Sequence, residues 1–364
     1  MRGNSPFPRR LGGGIALGRS RDVIIKYKVR SIVRHDGDII LGKSVSNPLN
    51  EVSASHEDFL RHCIIVGSTG SGKTTTAAFI ASQLRRYGGV VILDWYGEFP
   101  RVLEGFGCAF ELCRASPERQ IPLIDNPREL VTLLEETLGL TPPQVYILQR
   151  ALRRGERFTT PAQIMRLVEL TDPPARWMVE SKYALLRKLD LLFSGTPSGV
   201  FGSNYDYLMK YVDGGEGLLV IDLSVFPAGS VRRFVCLLLL KFIEMVRTQA
   251  RGNVYVIVDE AHNVLSGEAQ LLDRLFSEVR KRGVGLTIVT QSPSVISHRI
   301  LTNANVKVIH TLKSREDVDI VSRAVGNVPE IQSILPRLDV GEALVDAPSI
   351  IKPAIVKIPP PKSS

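Results

Sequence analysis

Little in this chain fixes it covalently or anchors it in a membrane. Its four cysteines, Cys63, Cys108, Cys113 and Cys236, form no C-x-x-C pair and have no histidine partners at zinc-site spacing. That excludes a disulfide scaffold and a zinc ribbon. Cys63 and Cys236 lie in apolar runs and read as core residues. The longest apolar stretch, Phe234–Leu240, is set among Arg232, Arg233, Lys241 and Glu244. It falls far short of the roughly 18–20 clean residues that a membrane span needs. Residues 1–14 are basic and glycine-rich but lack the apolar centre of a secretory signal. There is no internal repeat. These absences predict a soluble, cytoplasmic, disulfide-free protein with no membrane contact.

With 364 residues, 44% hydrophobic and 23% charged, the chain can build one large α/β domain and an extra module around a sizeable core. The net charge of +9 favours a polyanionic partner. The organising stretch is Gly67-Ser68-Thr69-Gly70-Ser71-Gly72-Lys73-Thr74, which fits G-x-x-x-x-G-K-[ST] at every fixed position. The run Cys63–Val66 before it predicts a buried strand. Ala77, Ile80, Ala81 and Leu84 after it stand at helical spacing. In a strand–loop–helix context the glycines let backbone N–H groups face phosphate oxygens, and the helix start adds its positive dipole end. Lys73 would reach the β- and γ-phosphates, and the Thr74 hydroxyl would hold Mg²⁺. The nucleotide-binding set is Gly67 through Thr74, with Thr75.

Along the chain, short β-type runs at Val23–Ile25, Ser31–Val33 and Ile39–Leu41, with a turn at Asp36-Gly37-Asp38, predict a small N-terminal β module over residues 1–55. From Arg61 onward β-rich runs alternate with helical stretches, which predicts an α/β fold with a mostly parallel sheet. The strand candidates after Cys63–Val66 are Val90–Leu93, Leu218–Ile221, Val254–Val258, Leu286–Val289 and Val306–His310. Alternation stops between about Arg114 and Gly214, where prolines punctuate a helical insertion. The core is thus divided into 56–113 and 215–350, with the insertion at 114–214 and a tail at 351–364. Arg150, Arg153, Arg154 and Arg157 cluster in the insertion, as a solvated helix face or as a nucleic-acid surface.

Val254–Val258 ends in Asp259-Glu260, and a parallel strand delivers its last residues to the edge where the phosphate loop opens. Asp259 is the candidate Mg²⁺ ligand and Glu260 the candidate to polarise the attacking water. Leu286–Thr290 ends in Gln291, which serves either as a γ-phosphate sensor or as a loop cap. Asp94-Trp95-Tyr96-Gly97-Glu98 adds two carboxylates, Asp94 and Glu98, at the same edge; the spacing fits an ordinary acidic turn as well as a nucleotide contact.

Taken together these residues resemble the HerA/FtsK group of P-loop translocases, in its archaeal HerA-like branch. The likeness rests on Leu60–His62 leading into the phosphate loop, on Asp94–Glu98 as a D-x-x-G-E element, on Glu278–Leu286 followed by Thr290–Ser294, and on Leu338–Val345. The resemblance implies a RecA-like P-loop NTPase core that hydrolyses ATP with Mg²⁺. It also implies a homohexameric ring with ATP between subunits, double-stranded DNA in the central channel, and a partner nuclease of the NurA type. It places an arginine finger at Arg280, with Arg282 as the second candidate. An ATPase that moves protein, like those of type IV secretion, and a nucleotide-dependent assembly factor are the alternatives.

Overall fold

The computed structural model describes residues 37–153, 159–173, 175–194, 196, 199–247, 251–265, 276, 279–326 and 329–362, with the backbone alone for Arg280 and Pro329. The runs Val23–Ile25 and Ser31–Val33, Arg154, Arg157 and Glu278 lie outside these residues.

Strands β1 (Ile39–Ser44), β2 (Glu51–Ala54), β3 (Cys63–Val66), β4 (Gly89–Asp94), β5 (Glu111–Cys113), β8 (Gly217–Asp222), β9 (Val254–Val258), β10 (Val284–Thr290), β11 (Val306–Ile309), β12 (Glu342–Asp346) and β13 (Ala354–Lys357) form one sheet. Its order is β2-β1-β13-β12-β11-β3-β10-β9-β4-β8-β5. From β11 to β5 every neighbouring pair is parallel. From β11 to β2 every pair is antiparallel. Two further strands, β6 (Ile121–Pro122) and β7 (Phe201–Gly202), pair on their own. The predicted mostly parallel α/β sheet is therefore present, with an antiparallel wing. The Ile39–Leu41 run pairs forward with β2, and residues 354–357 of the expected tail lie between β1 and β12.

The unbroken apolar runs of the central strands follow from burial on both faces. Ile64, Val66, Val91 and Leu93 pack into a core with the Gly229–Val246 helix and the insertion helices. Cys63, Ile65, Val90 and Ile92 pack into a second core with the Lys73–Leu84 and Phe99–Gly105 helices. Prolines that punctuate the 114–214 sequence open helices there: Pro127, Pro142 and Pro161 each stand in a first turn, where a missing N–H costs nothing. β5 escaped sequence reading because three residues, two of them only half-buried, carry too little pattern. Among the described residues no helix is long and apolar enough to cross a membrane.

Candidate nucleotide site

The parallel register brings distant residues to one edge. Val66 of β3 stands beside Thr290 of β10 and Ile309 of β11, and Val258 of β9 lies level with Ile288 and Leu93. The residues just past those ends are the phosphate loop, Gln291, His310, Asp259-Glu260 and Asp94. Ser68 N–H donates to Thr311 O at 2.8 Å and Gly67 N–H to Thr290 O at 3.3 Å, which seats the loop on its neighbours.

The loop has the form of an anion cradle. Gly72 takes φ 111° and precedes a helix with no side-chain cap and no acid in its first turn. Its first N–H groups and its dipole therefore favour a negative ligand. Gly70, at φ 74°, faces open space, whereas a Cβ on Gly67 would stand 2.5 Å from His310 Cβ and 2.6 Å from Ser71 Oγ. The Ser71 hydroxyl is buried without a hydrogen-bond partner. The Lys73 Nζ folds back to donate to Ser68 O at 3.3 Å. Burial lowers the Lys73 pKa, while Glu260, Asp259 and Glu98 push it back up. Thr74 and Thr75 are half-buried at the helix start.

Carboxylates crowd the facing side. Asp259 is buried and its acidity is weakened first by burial, then by Asp94, Glu260 and Glu98. Glu260 adopts φ 45°, a left-handed conformation that is uncommon outside glycine. Asp94 is fully buried, and its two oxygens accept from the N–H groups of Gly97 (2.9 Å), Glu98 (3.2 Å) and Phe99 (3.0 Å). It shapes the turn and opens the Phe99–Gly105 helix, while Glu98 stands exposed beyond it. Burial and, more weakly, Asp222 raise Asp94 to about 6, against the three N–H bonds that lower it. Arg232 Nη1 donates to Trp95 O at 3.2 Å and holds the same turn from the other face of the sheet.

Gln291 Oε1 accepts from Thr69 Oγ1 at 2.6 Å, so the predicted sensor touches the tip of the phosphate loop. Its Nε2 lies 3.4 Å from His262 Nε2, and His262 Nδ1 lies 3.1 Å from Glu260 Oε2. Sequence reading passed over His262 and also His310, whose Nε2 meets Thr76 Oγ1 at 2.9 Å and whose Nδ1 meets Glu342 O at 2.9 Å. The carbonyl only accepts, so Nδ1 carries the proton and Nε2 accepts from Thr76. Burial first, then Lys73, drives His310 down to about 4 against its bond to Glu342.

Arg280 belongs to the turn Val279–Arg282, which precedes β10. β10 runs from Val284 to Thr290, about 20 Å at 3.3 Å per residue. The turn thus lies at the opposite edge of the sheet from the chain's own phosphate loop. Arg282 is engaged within its own subunit: Nη1 donates to Glu244 O and lies 3.3 Å from Glu244 Oε1. Arg247, also buried, donates to the carbonyls of Val212, Arg251, Gly252 and Arg282 and fastens that edge.

The donor set suits a nucleoside triphosphate with Mg²⁺. An uncapped helix start, a lysine and an orphaned serine hydroxyl suit anionic oxygens, and a hydroxyl with crowded carboxylates suits a hard, oxygen-liganded cation.

Known proteins agree with this chemistry. The family described as helicase HerA, central domain, matches residues 41–243, and that of the TraM recognition site of TraD and TraG matches residues 253–333. The DNA double-strand break repair helicase HerA of Saccharolobus solfataricus is 29% identical over 361 residues, covering 91% of this chain and 70% of that protein. Its counterpart from Sulfurisphaera tokodaii is 28% identical over 364 residues, with 90% and 70% covered. VirB4 of Thermoanaerobacter pseudethanolicus superposes with a TM-score of 0.70 at 18% identity, covering 90% of this chain and 97% of that one. The plasmid coupling protein TrwB, in complex with ADP and Mg²⁺, superposes with a TM-score of 0.62 at 14% identity, covering 100% and 97%. At such identities the two structures establish the fold, a RecA-like P-loop NTPase. The chain is an ATPase, and by the match of more than half its length to the central domain it belongs to the HerA helicase family.

Proposed function

We propose that this ATPase is the motor subunit of a ring, a homohexamer, that moves double-stranded DNA in DNA-end processing or DNA transport, with a nuclease of the NurA type as partner and the cytoplasm as its place of work. The observation that supports the reading is that the candidate finger and the candidate nucleotide residues lie at opposite edges of one sheet. The phosphate loop, Glu260 and Gln291 lie at the C-terminal edge of the parallel strands, and the Arg280 turn lies at the other. On this reading Arg280, too far from its own phosphate loop, would serve a neighbour's site, and a ring would supply such an arginine at every interface.

In that site Gly67–Lys73 and Thr75 hold the phosphates, with Lys73 leaving Ser68 O for the β- and γ-phosphates. Thr74 and Asp259 would hold Mg²⁺, which would supply charge neutralisation at the phosphate oxygens. Glu260 takes the proton of the attacking water, Gln291 orients that water against the γ-phosphate, and Glu98 lines the site beside Lys73. Asp94 serves through the turn it caps. The net charge of +9 and the exposed Arg150 and Arg153 of the insertion suit a phosphate backbone.

A second reading, a motor that moves protein, draws on the VirB4 fold and on the match over residues 253–333. The ATPase rate with and without double-stranded DNA separates them. Stimulation of severalfold or more is expected for a DNA motor. A rate indifferent to DNA of any length would refute it and leave the protein-moving and assembly-factor readings.

A further inference from the structure

Four polar side chains from three stretches of the chain, the phosphate loop, the end of β10 and the turn after β9, meet in one run of close polar contacts at the catalytic edge. Thr69 Oγ1 donates to Gln291 Oε1 at 2.6 Å. Gln291 Nε2 can only donate, and it lies 3.4 Å from His262 Nε2, which must therefore accept. The imidazole proton is then on Nδ1, whose nitrogen lies 3.1 Å from Glu260 Oε2 but outside hydrogen-bonding geometry, so that this buried oxygen has no hydrogen-bond partner. Thr290 Oγ1, at 3.5 Å from the same Nδ1, flanks the ring. The bonded run goes from the tip of the phosphate loop through Gln291 to His262 and Thr290, and Glu260 Oε2, buried without a hydrogen-bond partner, lies next to its end. The receiving end is Glu260, with its φ of 45°. Such a conformation persists only where neighbours hold it.

We propose that His262 is a positioning residue that carries the state of the phosphate loop from Gln291 to Glu260. A γ-phosphate arriving at the loop competes for the Thr69 hydroxyl and for the Gln291 amide, because both are donors to oxygen. Gln291 then shifts, the acceptor bond on His262 Nε2 changes, and the ring turns its Nδ1–H onto the unpartnered Glu260 Oε2 that lies 3.1 Å away. The carboxylate faces its water only when a triphosphate is in place. Three side chains sit between the signal and the base, and among the described residues it is His262 that lies against both the glutamate and the sensor.

The inference rests on the ATPase reading, and two substitutions dissect it. His262→Asn keeps a donor near the Nδ1 position and loses the reach to Gln291. His262→Gln keeps the reach to Gln291 and loses the contact with Glu260. Binding is read with a fluorescent ATP analogue in magnesium-free buffer, turnover with ATP and magnesium. Both variants should bind the analogue within about twofold of the parent, keep KM, and lose about tenfold or more in kcat, the pattern of a group that acts only on the chemical step. Gln291→Ala should lower kcat in the parent yet lower it by less than about twofold in the His262→Asn background, because residues acting through one link are not additive. Multiplying effects, a parent-like kcat in both variants, or affinity lost in step with kcat would overturn the relay. A parent protein that binds but never hydrolyses ATP would instead overturn the ATPase reading, and the relay with it.

Discussion

Replacing His310 with glutamine removes a buried group whose protonation opposes folding as the pH falls. His310 is fully buried between the phosphate-loop helix and β12, and its pKa falls from 6.5 to about 4. The folded state therefore binds fewer protons than the unfolded state between those values, and stability must fall with pH across that window. At about 1.4 kcal/mol per pKa unit the full loss is about 3 kcal/mol, of which about 2 kcal/mol disappears between pH 7 and 5. Asp94, raised from 3.8 to about 6, acts with the opposite sign, since its folded form holds a proton that the unfolded form has lost. The comparison must then be made between parent and His310→Gln, where the Asp94 contribution cancels. Urea unfolding at pH 7, 6 and 5 should show a parent that loses stability more steeply than the variant, the gap changing by about 2 kcal/mol over the series. Parallel curves within about 0.5 kcal/mol would mean that His310 is solvated or already charged, and the hydrogen-bond assignment to Thr76 and Glu342 would fail.

Lys73→Ala should weaken nucleotide binding and turnover together, whereas Glu260→Gln should bind and retain ATP while hydrolysis drops at least a hundredfold, as checked by filter binding and phosphate release. Arg280→Ala should bind ATP normally and hydrolyse it about 10³-fold or more slowly; mixing it with Lys73→Ala protein should restore some activity, and no rescue at any ratio while rings still form would count against a finger supplied by a neighbour. Gly67→Ala should drive a Cβ into His310 and Ser71, costing about 1–3 kcal/mol in the melting transition together with a loss of ATP affinity; a parent-like affinity would mean the loop adjusts freely.

The phosphate loop was legible because its chemistry is local: eight consecutive residues, with a strand before and a helix after, define backbone shape and ligand at once. Asp259, Glu260 and Gln291 were legible for a related reason, since a buried strand that ends in a polar residue must deliver it to the sheet edge. His262 and His310 were not. Each stands in a run where a core histidine looks the same, and their partners Gln291 and Thr76 are 29 and 234 residues away. The antiparallel wing was equally hidden, because β13 near the chain's end inserts between β1 and β12. No local pattern records a pairing across some 300 residues.

Asp94 shows why spacing left its role open and what geometry adds to it. An aspartate at the end of a strand could face a ligand or its own backbone, and D-x-x-G-E is compatible with both. In the folded chain its two oxygens already accept from three N–H groups, and the left-handed Gly97, at φ 77°, lets the backbone curl back to supply them. Asparagine has a single oxygen and could not take all three, so a carboxylate stands here although burial and, more weakly, Asp222 work against its charge. The cost of that buried charge is the cost of a rigid turn. Because those three bonds fix the course of the turn, Glu98 is held near enough for its charge to act on Lys73 and adds to the acid-rich side of the site.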